Sequence, residues 1–113
     1  MLVYYLENYM AHPIELTKAM EKLLEDKDSI ILGPKQLWNE TLGDINISTT
    51  FTGNDISLGA SSPPLVFETY IYTPGEDHEF YEYRENYSTY QQAENGHKKI
   101  VDMVKAAEKR SKF

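Results

Sequence analysis

The segment Ile45–Thr52 places the strongest constraint on how this chain can fold. Isoleucine, threonine and phenylalanine occupy its odd-numbered positions, and polar residues occupy every even-numbered one. This period of two predicts a β-strand with one buried face, which carries Thr49 among the apolar residues. A Gly43-Asp44 pair separates the segment from a second strand-like run, Gln36–Thr41, so the two runs predict a β-hairpin.

Two further strands are predicted from composition and turn residues. Leu65–Tyr72 is rich in β-branched and aromatic residues, which favour strands. Thr73–Asp77 contains a Pro-Gly pair in the order typical of a type II turn. Phe80–Arg84 is therefore predicted to return as the antiparallel partner of Leu65–Tyr72.

Two helices are predicted at the ends of the chain. Apolar residues recur at helical spacing over Pro13–Lys27, with Pro13 in the favoured first position. A second helix is predicted from Ser88 as N-cap, with Gln91 completing a capping box. Gly96 lies inside it, which indicates either close packing or a break in the helix. Its predicted inner stripe is Ala93, His97, Ile100, Val104 and Ala107.

These elements predict an α+β fold. We expect a curved antiparallel sheet of about four strands, with the C-terminal helix packed on one face and an N-terminal helix at its side. The 113 residues suffice for one domain, 1–113, in which residues 1–12 are a candidate extended arm. The absence of cysteine excludes a disulfide scaffold and a thiol nucleophile.

The N-terminal sequence indicates the expected compartment. The apolar run that starts at Met1 stops at Glu7, which is too short for a signal peptide or a membrane span. We therefore expect a cytoplasmic protein that does not bind membranes.

Charge is unevenly distributed along the chain. The formal net charge is −7, although the stretch Lys98–Lys112 carries six basic and two acidic residues. The predicted hairpin Glu68–Glu85 carries six acidic residues against the single basic Arg84. Its candidate acidic surface consists of Glu76, Asp77, Glu79, Glu82 and Glu85.

Three interpretations of this charge pattern are open. The acidic, tyrosine-rich hairpin could imitate a nucleic-acid backbone and occupy the basic cleft of a DNA-binding protein. The basic tail could contact phosphates. Alternatively, both are solvated faces, and the tail complements the dipole of its helix. Direct binding of duplex nucleic acid is disfavoured by the net charge.

The three histidines give no metal-binding pattern. His12, His78 and His97 are not spaced as paired ligands, and no cofactor motif occurs, so neither a metal nor a cofactor is expected. His97 lies on the predicted inner stripe, either as a core histidine or as a ligand contact.

Aromatic residues supply the other candidate binding positions. Trp38 is the single tryptophan and is either a core or interface anchor or a ligand platform. Glu68 is predicted on the open face of the sheet, together with Tyr70, Tyr72, Tyr81 and Tyr83. These side chains either stabilise the sheet as cross-strand pairs or form a polar-aromatic surface for a partner or a nucleotide base.

Three segments together resemble a known group of proteins. Ile47–Asp55, Pro63–Thr69 and Tyr87–Thr89, the last followed by Ala93 and Gly96-His97, occur in this order. The chain is similar to small proteins of tailed bacteriophages and prophages that carry segments like VSTVWLGLDH, PPLIFETMVF and RYST-EEA-AGH. It differs where that group has a histidine after Leu-Asp, because Ile56 stands there. The resemblance implies a phage protein in the host cytoplasm and no mechanism.

The resulting hypothesis is a small phage accessory protein that acts by binding, as a counter-defence or host-takeover factor. It blocks a host or defence protein through the acidic hairpin, or it sequesters a small nucleotide in a pocket between the sheet and the second helix. The alternatives are a small hydrolase with Glu68 or His97 as general base, and a minor virion or assembly component. A homodimer or higher oligomer is expected, with the hairpin tyrosines or Trp38 at the contact. The predicted pocket is formed by Trp38, Thr49, Glu68, Arg84 and His97.

Overall fold

The computed structural model describes residues 2–26 and 30–111, and these form two antiparallel sheets and two helices. The predicted α+β class is confirmed. Lys27 and Lys112, which belong to the predicted first helix and to the basic tail, lie outside the described residues. The elements in chain order are β1 (Leu2–Glu7), β2 (Met10–Glu15), α1 (Leu16–Asp26), β3 (Ile30–Leu32), β4 (Lys35–Leu42), β5 (Ile45–Phe51), β6 (Phe67–Tyr72), β7 (Arg84–Tyr87) and α2 (Tyr90–Ser111).

The four-stranded sheet has the order β4-β5-β6-β7, and α2 packs on one of its faces. The predicted β4–β5 hairpin is confirmed, since Leu42 pairs with Ile45 across the two-residue turn. Gly43 adopts a φ of 64° in that turn, a conformation that glycine reaches without steric cost. The alternation in Ile45–Phe51 therefore places its odd-numbered side chains against the helix.

The N-terminal segment differs from the prediction. Strands β1 and β2 form a hairpin where the arm and the first turn of a helix are expected, and α1 begins only at Leu16. Pro13 lies in β2, opposite Tyr4. Because β2 is an edge strand of the order β2-β1-β3, a residue without an N–H can be accommodated there.

The return strand after β6 also differs from the prediction. Phe80–Arg84 is predicted as the strand, but β7 is Arg84–Tyr87, and residues 73–83 form a long loop. Phe80 is buried in the core, and Glu82 adopts a φ of 59°. Burial of Phe80 thus draws this part of the chain into the core as a loop, before pairing with β6 resumes.

Helix α2 has the predicted inner stripe but a shifted N-terminus. Thr89 Oγ1 accepts a hydrogen bond from the Gln92 backbone N–H, and Gln92 Oε1 accepts one from the Thr89 N–H. The capping box is therefore Thr89 with Gln92, one residue later than predicted. All five residues of the predicted stripe are buried, namely Ala93, His97, Ile100, Val104 and Ala107.

Two apolar clusters lie between α2 and the sheet. One is built around Ile47, Ile71 and Ile100, and the other around Phe51 and Phe67. The second cluster also contains Leu6 of β1, so it joins the three-stranded sheet to the four-stranded one.

Gly96 allows the closest approach between α2 and the sheet. A Cβ atom at this position would overlap the phenol ring and hydroxyl of Tyr87, a buried residue of β7. The prediction that this glycine serves close packing is confirmed.

We expect Gly96→Ala to lower the free energy of unfolding by about 1–3 kcal/mol, because overpacking outweighs the gain in helix propensity of up to about 1 kcal/mol. Gly75→Ala is the matched control, since its Cβ would meet only the flexible Asp77 side chain at 3.2 Å. Urea unfolding of both variants measures the difference. A Gly96→Ala protein as stable as the parent would contradict this packing.

Candidate functional site

A buried polar belt separates the two apolar clusters. Thr49 of β5 pairs in register with Thr69 of β6, and both side chains are fully buried. His97 of α2 lies over them with 6% of its surface exposed. Thr49, Thr69 and His97 each lie on the buried face of their strand or helix, and the rest of that face is apolar. The belt is therefore the polar centre of the interface between helix and sheet.

Thr49 connects all three members of the belt. Its Oγ1 lies 2.6 Å from Thr69 Oγ1 and 2.6 Å from His97 Nδ1. Because the Thr49 hydroxyl has a single proton, it donates to at most one of these two neighbours and accepts a hydrogen bond from at least one of them. In each of these arrangements the imidazole is fixed to the centre of the sheet.

The imidazole of His97 is held in its neutral form. Burial lowers its pKa from the ordinary value of 6.5, and the nearby Glu40 opposes this shift to a smaller extent. The buried Nε2 of His97 and the buried hydroxyl of Tyr87 have no hydrogen-bond partner among the described residues. Protonation of His97 would place an additional charge in this interior.

The belt is closed to substrates. Neither threonine hydroxyl is exposed, so the Thr49–His97 pair cannot act on an external substrate although its distance would suit a nucleophile and a base. A groove of about 320 Å³ runs beside His97 between β4 and α2. Its lining is Glu40, His97, Lys98, Val101, Asp102 and Lys105.

The opposite face of the four-stranded sheet is open and polar. Gln36 Nε2 donates to Ser48 Oγ over 2.7 Å, and the side-chain amides of Asn39 and Asn46 form a reciprocal pair at 3.0 Å. These contacts join β4 to β5 on the side away from α2. Polar groups thus cover the half of the open face that belongs to β4 and β5.

Tyrosines occupy the other half of the open face. Tyr70 and Tyr72 of β6 are in contact with their ring centroids 4.7 Å apart and their planes tilted by 50°, and the Arg84 guanidinium lies 4.8 Å from the Tyr70 centroid. The adjacent Glu82 is the main reason that the pKa of Tyr81 is raised, and the nearby Tyr70 contributes to the same shift. Tyr72 is 55% exposed and Tyr81 is 43% exposed. We call Tyr70, Tyr72, Tyr81 and Arg84 the tyrosine patch.

An acidic loop extends from the end of this patch. The loop covers residues 73–83, which connect β6 to β7, and Phe80 anchors it in the core. The backbone N–H of Ile71 donates to the carbonyl of Tyr83 over 3.0 Å and closes its base. Its exposed acidic side chains are Glu76, Asp77, Glu79 and Glu82.

Two predicted members of these surfaces lie elsewhere. Tyr83 packs against Phe80 and the core instead of joining the tyrosine patch. Glu85 accepts a hydrogen bond from the Tyr83 hydroxyl and forms a 3.2 Å ion pair with Lys99 of α2. Both side chains therefore stabilise the rim of the interface between helix and sheet.

The residues predicted to line one pocket between the sheet and the second helix lie on opposite faces of the sheet. Trp38 contacts His97 with the ring centroids 6.0 Å apart, on the side of the belt. Glu68 pairs with Thr50 and thus lies on the open face, as does Arg84. Glu68 and His97 consequently cannot act together in one hydrolytic site.

Sequence reasoning did not identify Thr69 as a member of the belt or Tyr87 as the residue that packs against Gly96. The signal for Thr69 is its place in β6, because it stands between Phe67 and Ile71 on the buried face. A hydroxyl at such a position needs an internal partner. Tyr87 occupies the space that the missing side chain of Gly96 leaves, and the linear sequence does not show this contact.

Comparisons with other proteins add no family assignment: no family model, curated protein or solved structure matches the chain. Within residues 2–26 and 30–111, no three His, Asp or Glu side chains are placed to hold a metal ion. None of the described helices has the length and apolar character required to cross a membrane.

We expect Thr49→Val to lower the free energy of unfolding by about 1–3 kcal/mol, because it leaves His97 Nδ1 and Thr69 Oγ1 buried without their shared partner. Thr50→Val, one residue away on the half-buried open face, is the matched control and should be close to neutral. Chemical denaturation compares the two variants. Equal stabilities would show that the belt contributes nothing.

Stability should also depend on pH through His97. Its pKa is lower in the folded protein than in the unfolded chain, so the unfolded chain binds the proton more readily. The free energy of unfolding therefore falls as the pH drops below about 6.5, by at most about 1.4 kcal/mol per pH unit for one proton. Unfolding of the parent and of His97→Gln between pH 7.5 and pH 5.5, values chosen to span about one unit on either side of the unfolded pKa, measures this dependence. A slope unchanged in His97→Gln would exclude His97 as its source.

Proposed function

We propose that the protein acts by binding the basic surface of another protein through the tyrosine patch and the acidic loop. The observation that carries this proposal is their adjacency on one side of the molecule. Partly exposed aromatic rings and an arginine adjoin four exposed carboxylates, Glu76, Asp77, Glu79 and Glu82.

The tyrosine patch suits the centre of such an interface. Tyrosine and arginine are enriched among the residues that contribute most to binding, because they combine large contact area with hydrogen-bonding groups. The contacts of Tyr70 with Tyr72 and Arg84 already restrict these side chains in the free protein. Less conformational entropy is then lost when a partner covers them.

The acidic loop supplies the long-range part of recognition. Like charges concentrated on an exposed loop raise the rate at which an oppositely charged partner is encountered, and salt screens this effect. Phe80 anchors the loop in the core and thereby fixes the position from which its carboxylates act. A nucleic-acid-binding cleft is a partner surface of this kind, because it is basic and accepts a row of negative charges.

The resemblance to phage proteins supports a setting for this binding. The proposed partner is a host or defence protein in the cytoplasm of an infected bacterium, and binding blocks it. The closed belt and the separation of Glu68 from His97 favour binding over hydrolysis. For the same reasons, the residues predicted to bind a nucleotide do not form one pocket.

Photo-crosslinking in expressing bacterial cells tests this proposal. A photoreactive phenylalanine analogue is placed at Tyr72 or Tyr81, and at Leu58 as the matched control. Leu58 is 93% exposed and lies in the loop that precedes β6, whereas Tyr72 is at the other end of that strand. Both tyrosine positions should give the same crosslinked protein, and Leu58 should not. Adducts that are identical at all three positions, or none at the tyrosines, would contradict the proposed surface.

The identified partner then allows a kinetic test of the acidic loop. Changing Glu76, Asp77, Glu79 and Glu82 to the matching amides should slow association and flatten its salt dependence, while stability changes little. The control removes the same number of charges away from both proposed surfaces, with Glu15→Gln, Glu21→Gln, Asp44→Asn and Glu94→Gln. Equal association rates for the two variants would remove the acidic loop from the proposal.

A further inference from the structure

We infer that β4 is an interface for a second copy of this chain, paired edge to edge about a twofold axis at Trp38. β4 is eight residues long and is an edge strand of the four-stranded sheet. No strand among the described residues pairs with its outer side. Its outward backbone N–H and C=O groups are thus available to another strand.

The register of β4 against β5 defines how two such edges can meet. Lys35, Gln36, Trp38, Asn39 and Glu40 lie opposite five successive residues of β5. Leu37 is the extra residue of a β-bulge, and it packs against the core. Apart from this bulge, the five positions form a regular row centred on Trp38.

An antiparallel pair about a twofold axis at Trp38 aligns Lys35 of one copy with Glu40 of the other. The bulge places both side chains on the α2 side of the sheet, although one position is odd and the other even. Both residues are exposed, and neither has an ion-pair partner among the described residues of its own chain. The symmetry generates two such pairs of opposite charge across the interface.

The remaining positions of the row are also self-complementary. Gln36 of one copy aligns with Asn39 of the other on the open face. Each amide keeps hydrogen-bonding capacity after its contact within the chain, because Gln36 uses only Nε2 toward Ser48. Trp38, which is half-buried beneath Tyr90, meets its symmetry copy at the axis and adds apolar contact.

The groove beside His97 supports a second copy as the occupant. Two carboxylates and two ammonium groups line this groove, and among them Glu40 is the one that belongs to β4 and so lies next to its free edge. In the paired arrangement, the Lys35 ammonium of the second copy lies at this groove. A second copy pairs both Lys35 and Glu40 of the first copy with opposite charges. An unrelated extended peptide would pair only one of them.

Sedimentation velocity over a concentration series tests the proposal with the full chain. We expect a reversible dimer for the parent protein. Glu40→Lys and Lys35→Glu should each raise the dissociation constant by about tenfold or more, because both inter-chain pairs become like-charged. Glu79→Lys, the same charge change on the acidic loop, is the matched control and should leave dimerisation unchanged.

Two combinations of the Lys35 and Glu40 variants give the decisive comparisons, because each restores pairs of opposite charge. The double variant Lys35→Glu/Glu40→Lys should dimerise again, and an equimolar mixture of the two single variants should form a heterodimer. Circular dichroism and thermal melting confirm that each variant folds. A monomeric parent, single variants that dimerise as the parent does, or a double variant that stays monomeric would overturn the proposal.

Discussion

The contact of Thr49 with both Thr69 and His97 is the interaction on which the rest of the structure depends. It occurs where α2 crosses the middle of the sheet, between two clusters of apolar side chains. Apolar packing alone is not directional, and it would tolerate small shifts of the helix along the sheet. A buried hydroxyl and imidazole require partners at defined distances, so the belt selects one register of helix on sheet.

Fixing α2 in this way gives the two faces of the sheet different roles. The covered face is closed by the belt, by the Tyr87 ring against Gly96, and by the Glu85–Lys99 ion pair at the rim. The contacts on this covered face stabilise the fold. The open face is left to the amides of β4 and β5 and to the tyrosine patch, and we propose that recognition takes place there and at the free edge of β4.

Several elements could be predicted from the sequence because local patterns determine them. The alternation in β5 and the Gly43-Asp44 turn each depend on neighbouring residues, and so does the inner stripe of α2. The hairpin formed by β1 and β2 could not be predicted in the same way. Pro13 is equally suited to a helix start and to an edge strand, and only pairing with β1 decides between them.

The candidate site was predictable only in part, for a related reason. Period two already separates Glu68 from Thr69, so a strand assignment is enough to place the carboxylate on the open face. The belt, in contrast, joins residues 20 and 48 positions apart and requires the sheet register and the helix position together. The role of Gly96 likewise depends on Tyr87, which belongs to another element.

The division of the sheet into a closed face and an open face, which we propose for recognition, is the central claim of this account. Tyrosine nitration of the folded protein, mapped by mass spectrometry, tests it most directly. Tyr72 and Tyr81 should react readily, and Tyr87 should stay protected until the protein is unfolded. Nitration of Tyr87 in the folded protein at the rate of Tyr72 would contradict the account.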